Sequence, residues 1–439
     1  MSFPAVRANN ETSLAAIASL PKCAISCLLP IASSSPCAAT DVACMCSNPK
    51  LQSEVATCVS KTCTNKEALN TKSITSMSCG LPIRDKGRTY VTISNTFGAF
   101  SAVLVLQRFA YKIWAGLDLG LDDWFTLVTL ISGVPSTVMN AKALVTNGIG
   151  RDIWTLTPSQ ITNFARYFFV MELLYFFQVA TLKLALLFFY MRIFPAVTVQ
   201  RLLWGTVAFT ALYGLVFVFA GSMQCRPVRY FWTKWDGEHS GSCINVNGLA
   251  WSNAIISIVL DCWMLAVPLW QLASLHLSLK RKICVGIMFF VGTFITVVSI
   301  LRLRSLVKFG TDATNPTWEF FGVGLWSTIE INVGIICTCM PTVRLLLVRL
   351  FPRWLGKTQP YHVKCSSMNN ANSRTSSPTW RAGSRARGVA DDGSPFSKRH
   401  GVEHSDGNEA ERGHVQVPGM KQARLKPSKA VESVTDFGR

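Results

Sequence analysis

Eight of the fifteen cysteines stand at positions 23, 27, 37, 44, 46, 58, 63 and 79. Between Pro21 and Gly80 there are too few large apolar side chains for a core, and a domain of about 60 residues then needs covalent staples. Thiols this dense imply disulfides, which persist in an oxidising compartment. Zinc is the rival chemistry. It is disfavoured by the lack of a CxxC pair, by the absence of histidine before His239 and by the even cysteine count beside a membrane segment. Cys23 and Cys27 fall one turn apart on one expected helix, and Cys58 and Cys63 lie close together on a second. Two antiparallel helices would then bond Cys23 to Cys63 and Cys27 to Cys58, with Cys37–Cys44 across the loop and Cys46–Cys79 left over. Eight cysteines allow on the order of a hundred connectivities, so this pairing is one geometric expectation among them.

A second set of chemically active residues lies in apolar surroundings. Glu172, Lys183, Asp261, Arg302 and Glu330 each interrupt a hydrophobic run. An ionisable group in the bilayer costs a few kcal/mol unless paired or hydrated, so such groups mark function or interhelical pairing. Glu172, Arg302 and Glu330 could line a polar pocket open to the outside and receive a ligand. The competing reading, favoured for any single residue, is ion pairing that fixes helix packing. Lys183 and Asp261 lie at similar depth and are expected to pair.

The elements that position these groups follow from hydropathy. The chain is 49% hydrophobic and 15% charged, the balance of a membrane protein. Runs at spanning length cover 91–111, 124–146, 167–189, 203–222, 249–270, 284–303 and 320–348. Ser94, Asn95 and Thr96 dilute the first, and Gln107 and Arg108 are expected to close it early. Basic residues cluster on one side: Lys280-Arg281-Lys282, Arg192 with Arg201, and Arg344, Arg349, Arg353 and Lys357. The positive-inside rule makes that side cytoplasmic. The amino terminus is then outside and the carboxyl terminus inside. The 223–248 loop is external, and a Cys225–Cys243 disulfide is expected in it. Cys262, Cys284, Cys337 and Cys339 read as small apolar residues within helices.

Residues 1–20 hold a weak export signal, Leu14–Leu20, preceded by Asn9-Asn10-Glu11 rather than by basic residues. The expectation is that the first span carries the knot across unaided or that translation starts elsewhere. Asn10-Glu11-Thr12 is a glycosylation sequon. Residues 354–439 turn to Ser, Pro, Gly, Asn and charge, with six more basic than acidic residues, and read as a disordered cytoplasmic tail. Ser377-Pro378 and Ser394-Pro395 are candidate phosphorylation sites and Cys365 a candidate palmitoylation site. The formal charge of +19 does not argue for nucleic acid, because the aromatic platform of single-strand binders is missing; attraction to a lipid surface explains the juxtamembrane basic residues. No serine elbow, HExxH motif or phosphate loop occurs, so no enzyme is expected.

The cysteine pattern from Pro21-Lys22-Cys23 to Cys79 resembles the fungal CFEM domain in the order and spacing of all eight cysteines. The resemblance implies a small helical extracellular module. In haem-binding members an aspartate three residues before the fourth cysteine is the axial iron ligand, and Asp41 holds that position. A carboxylate oxygen suits ferric iron, so haem is the cofactor this resemblance implies; the alternative for Asp41 is a helix-capping or loop role.

Gly120-Leu121-Asp122-Asp123-Trp124, Gly148-Ile149-Gly150-Arg151-Asp152-Ile153-Trp154, Phe189-Tyr190-Met191-Arg192-Ile193-Phe194 and Cys225-Arg226-Pro227 resemble the fungal integral-membrane rhodopsin-domain family. That family includes receptor-like proteins linked to pathogenicity on plants. Asp122, Asp123 and Trp124 also have a local reading, as a helix start followed by an interface residue. Retinal is not expected, since residues 318–348 contain no lysine for a Schiff base.

The fold class expected is all-α: an N-terminal segment (1–20), a disulfide-stapled CFEM domain (21–80), a seven-helix transmembrane bundle (90–350) and a disordered basic tail (354–439). The function expected is that of a G-protein-coupled-receptor-like protein of the fungal plasma membrane. It would sense extracellular or host cues and signal inward through residues 271–282 and the tail, with a cytoplasmic G protein as partner. Haem or iron acquisition through Asp41 is the alternative. A virulence factor displayed at the surface or released into the host is a third reading.

Overall fold

The computed structural model describes residues 19–37, 42–273, 279–311 and 315–350. Asn10, Asp41, residues 274–278, and residues 351–439 with Cys365, Ser377 and Ser394 lie outside the described residues.

Four short helices form the cysteine-rich unit: α1 (Lys22–Ser33), α2 (Val42–Ser47), α3 (Pro49–Thr62) and α4 (Asn65–Ser78). The Asn48 side chain caps α3 by accepting from the Lys50 and Leu51 amides, and Pro49 takes the first helical position, where no N–H is needed. Thr64 and Glu67 form a capping box on α4, the Glu67 carboxylate accepting from the Thr64 amide at 2.9 Å. Those bonds from Thr64 hold the Glu67 carboxyl below its ordinary pKa. The apolar centre is little more than Leu20, Ala24, Cys27 and Val59. Covalent bonds supplement it: Cys23–Cys63 and Cys27–Cys58 join α1 to the end of α3, with Cys37–Cys44 and Cys46–Cys79 beside them. These are the four pairs that the two-helix ladder implies.

Among the described residues, seven further helices are long and apolar enough to cross a membrane. They are α5 (Gly87–Trp114), α6 (Leu121–Val138), α7 (Pro158–Ile193), α8 (Val197–Ser222) and, after a four-residue α9 (Tyr230–Thr233), α10 (Val246–Ala273), α11 (Leu279–Thr311) and α12 (Pro316–Leu350). The described residues are all-α apart from a minimal antiparallel ribbon. Its strands β1 (Cys225–Arg226) and β2 (Ser242–Cys243) are joined by the Cys225–Cys243 disulfide.

The third span, α7, is the axis of the bundle. It starts at a Thr157 capping box with Pro158 in the first turn, and every residue from Gln178 to Leu187 is buried. A helix buried on all faces can hold polar groups only where neighbours complete their bonds.

Two expectations about the first two spans need correction. Gln107 and Arg108 do not end the first span: α5 runs on to Trp114 with Arg108 and Lys112 both buried. The reason lies across the turn, where Asp122 and Asp123 are also buried. Arg108 pairs with both carboxylates and donates to the Thr338 carbonyl of α12, and Lys112 Nζ lies 2.5 Å from Asp123 Oδ2. The DDW segment is therefore an interhelical ion cluster as well as a helix start. The Asp123 carboxylate also takes the Gly120 amide at 2.9 Å.

The α6 helix contains Pro135, which cannot donate to the preceding turn, and a π-turn follows over Met139–Leu144. The wider turn carries Asn140 into the bundle, where it is 1% exposed.

The segment Gly148–Trp154 ties the starts of α5 and α12 together. Gly148 and Gly150 have φ of 95° and 74°, values that strain any other residue. A Cβ on Gly150 would also sit 3.0 Å from Lys86 Cβ. The Gly150 amide donates to the Thr317 carbonyl while its own carbonyl accepts from Lys86 N–H. Arg151 pairs with Asp85 at 2.7 Å, and Asp152 accepts from Arg84 and from Asn315 Nδ2. Burial works to raise the Asp85 carboxyl pKa, but the Gly87 amide and Arg151 outweigh it and hold the group low.

The cysteine-rich unit rests on this same end of the bundle. Asn65 Nδ2 donates to the Trp235 carbonyl at 2.7 Å, Lys66 pairs with Glu238 at 2.7 Å, and the Lys72 ammonium stands over Trp154. Next to them Asp236 accepts from the Glu238 amide and faces His239. Burial pushes the Asp236 carboxyl up, and those two contacts override it to leave the group below its ordinary range.

Candidate functional site

Between α5, α6, α7, α10, α11 and α12, in the half of the bundle nearer the knot, lies a cavity of about 270 Å³. That is near the lower end of small-molecule pockets, roughly 300–1,000 Å³. Its polar wall groups bond to one another across the helices. Asn140 enters through the π-turn, accepting from Tyr90 Oη at 3.0 Å and donating to Ser94 Oγ at 3.1 Å. Ser101 donates to Asn332 Oδ1 at 2.7 Å, and Gln178 donates to Ser136 Oγ and the Ser132 carbonyl, each at 2.8 Å. These bonds span α5, α6, α7 and α12, so the polar lining also sets the packing.

Of the three residues expected in one pocket, Glu172 and Arg302 line this cavity and Glu330 does not. Glu330 stands behind Arg302 and borders a separate void of about 40 Å³ with Lys183 and Asp261. Its carboxylate accepts from Tyr175 Oη at 2.9 Å and from Ser299 Oγ at 2.6 Å, with Arg302 Nε 3.1 Å away. Pairing, rather than ligand exposure, is its role in this geometry. The Lys183 ammonium meets Asp261, and Ser299 lies 3.3 Å from the second Asp261 oxygen. A continuous buried chain thus runs Lys183–Asp261–Ser299–Glu330–Arg302, with two positive and two negative groups in balance. Glu172 accepts from Gln224 Nε2 at 3.0 Å, near Lys234 of the adjoining loop.

Ser101, Asn140 and Asn332 were not distinguished by their sequence surroundings as cavity residues. The usable signal was Pro135 followed by a polar residue at spanning depth.

The cysteine-rich unit has its own cavity, about 230 Å³, walled by Leu28, Met45, Leu51, Val55 and Val59 with Lys72 at its edge. Apolar walls and one cation are surroundings that a haem ring and its propionates need. Asp41, the implied iron ligand, is outside the described residues, although α2 begins one residue after it. Among the described residues Cys23, Cys63 and Glu67 are the group close enough to suggest a metal, and both sulfurs are already in one disulfide.

A disulfide-laced helical module on a seven-helix membrane bundle defines the class. The CFEM domain family matches residues 16–80 and the fungal rhodopsin domain family matches residues 107–349. The chain belongs to the fungal rhodopsin domain family, which covers more than half of it. It is similar to a SAT4 family membrane protein of Emericella nidulans, 28% identical over 52% of this chain and 56% of that protein. Wortmanamides biosynthesis cluster protein C of Talaromyces wortmannii is 22% identical over 75% of this chain and 93% of its own length. Receptor GIN3 of Arthrobotrys oligospora is 23% identical over 63% of this chain and 67% of that receptor. The chain spans only a little over half the length of the Emericella protein. No solved structure matches.

Proposed function

We propose that this chain is a receptor of the fungal plasma membrane that binds a ligand in the interhelical cavity and works by binding rather than catalysis. The cavity itself carries the reading: six helices line it, α10 through Ala250, and a ligand with different contacts in two packings would shift the bundle between them. Similarity to a protein named as a receptor supports it. The amino terminus faces outside in this reading, which the ten disulfide-bonded cysteines at that end of the bundle support, since disulfides persist in an oxidising compartment. The carboxyl terminus faces the cytoplasm, where the basic residues Lys280, Arg281 and Lys282 engage a G protein. Host cues are the stimulus, and a pathogenicity role follows from them. Co-precipitation of a fungal Gα subunit with the full chain tests this. Recruitment should be lost when Lys280, Arg281 and Lys282 are replaced by alanine; no recruitment by the parent chain would overturn the coupling.

Haem handling through Asp41 is the second reading, favoured by the apolar cavity beside α2 and by Lys72. A haem titration of the full chain against Asp41→Ala decides it. A Soret shift saturating at one equivalent and absent in the variant supports haem; identical spectra for the two proteins exclude Asp41 as ligand.

A further inference from the structure

We propose that the interhelical cavity takes a small amphipathic carboxylate, anchored on Arg302 and admitted from the lipid phase between α5 and α6. This rests on the reading of the cavity as a ligand site.

Arg302 is 3% exposed, yet its Nε and Nη2 have no hydrogen-bond partner. Glu330 does not fill them. Its Oε2 is 3.1 Å from Nε but off the N–H direction, and its two oxygens already accept from Tyr175 and Ser299. The face of the guanidinium is covered by the Tyr175 ring at 4.5 Å, which leaves its edge donors to be met. A buried charged donor without an acceptor is among the costlier omissions in a folded protein. The other polar wall groups have partners: Asn140 with Tyr90, Asn332 with Ser101, Gln178 with Ser136. Glu172 is bonded to Gln224. A ligand oxygen at the Arg302 edge completes the site, and a carboxyl group matches the guanidinium fork in shape while sharing the Arg302 charge with Glu330.

The remainder of the wall selects an apolar body. Leu130, Phe168, Phe176, Phe320, Val323 and Ile331 supply most of it. The route in is visible on α6. Val134 and Val138 line the cavity but are 57% and 51% exposed on the outer surface of the bundle, so the wall there is one side chain thick. Gly98 and Ala102 of α5 and Gly133 of α6 also line the cavity, so the α5–α6 seam is closed by small residues, a Cβ on Gly98 coming within 3.3 Å of Thr137 Oγ1. A molecule already dissolved in hydrocarbon would enter there with its head group led toward Arg302.

The test uses the full chain in lipid nanodiscs with tritiated octanoate, empty nanodiscs as baseline, and 1-octanol and octylamine as competitors. Saturable octanoate binding is expected, weaker by about tenfold or more in Arg302→Gln, because a charge-assisted hydrogen bond is lost. Gly133→Phe is a second variant, since a Cβ there meets nothing within 4 Å, and it should slow octanoate entry. Competition by octanol or octylamine equal to that of unlabelled octanoate would overturn the carboxylate assignment and leave the cavity as a ligand site. Binding no greater than to empty nanodiscs, with no competition from any of the three, would overturn both. Entry at the parent rate in Gly133→Phe would overturn the lipid route.

Discussion

Arg108 Nε lies 2.6 Å from Asp123 Oδ1, and neither side chain is more than 2% exposed. The pair links α5 to α6 at the end of the bundle away from the knot. Asp122, Lys112 and the Thr338 carbonyl complete its bonds, and Arg192 comes within 3.6 Å of Asp122. With two basic and two acidic groups fully buried, the cluster is neutral only as a whole.

Removing one member should therefore be worse than removing two of opposite sign. Asp123→Asn or Arg108→Met leaves an uncompensated buried charge, a loss of about 3–5 kcal/mol. The double substitution Arg108→Met with Asp123→Leu should recover part of that loss. Thermal unfolding of the purified chain in detergent measures it, and a double variant less stable than both singles would refute the account.

Acid should loosen the end of the bundle beside the knot first. Glu67, Asp85 and Asp236 all have carboxyl pKa values held below the ordinary range. The unfolded chain binds more protons as pH falls, so their contribution is present above roughly pH 4 and is lost as pH drops through the depressed values. Amide exchange in α4 and around Gly148–Trp154 should rise below about pH 4, while exchange in α7 stays slow.

Breaking Cys27–Cys58 should destabilise the knot by about 2–5 kcal/mol, since its apolar centre is so small. Cys27→Ser with Cys58→Ser, examined by protease susceptibility of residues 19–80 in the full chain, should be cut faster than the parent. The bundle should remain resistant.

Gly150→Ala combines a φ of 74° with a 3.0 Å approach to Lys86. The expected loss is about 1 kcal/mol or more, from strain in the left-handed region. Gly205→Ala is the comparison, because a Cβ there meets nothing within 4 Å. Equal melting temperatures for the two would show that the Gly148–Trp154 turn tolerates a side chain.

What could be read in the sequence was what has a short period or a short reach. Cysteines on helical spacing and apolar runs of spanning length carry their structure locally, and Lys183 and Asp261 matched in depth alone. Arg108 looked like the end of a span because its compensation comes from Asp122 and Asp123 across a turn and from α12, none of which a linear scan can join. Glu330 and Arg302 could be placed in one layer. Which of them faces the cavity depends on helix rotation, and Tyr175 and Ser299 set that by claiming the Glu330 carboxylate.

Only seven residues, Gly80–Lys86, separate Cys79, whose disulfide closes the knot, from the start of α5. The last three are held: Arg84 by Asp152, Asp85 by Arg151, and the Lys86 amide by the Gly150 carbonyl. Even if all seven were pulled straight they would extend about 24 Å. The knot therefore has a short leash. Whatever it meets must come down to the membrane surface, and a tug on it is delivered to the first turns of α5 and α12.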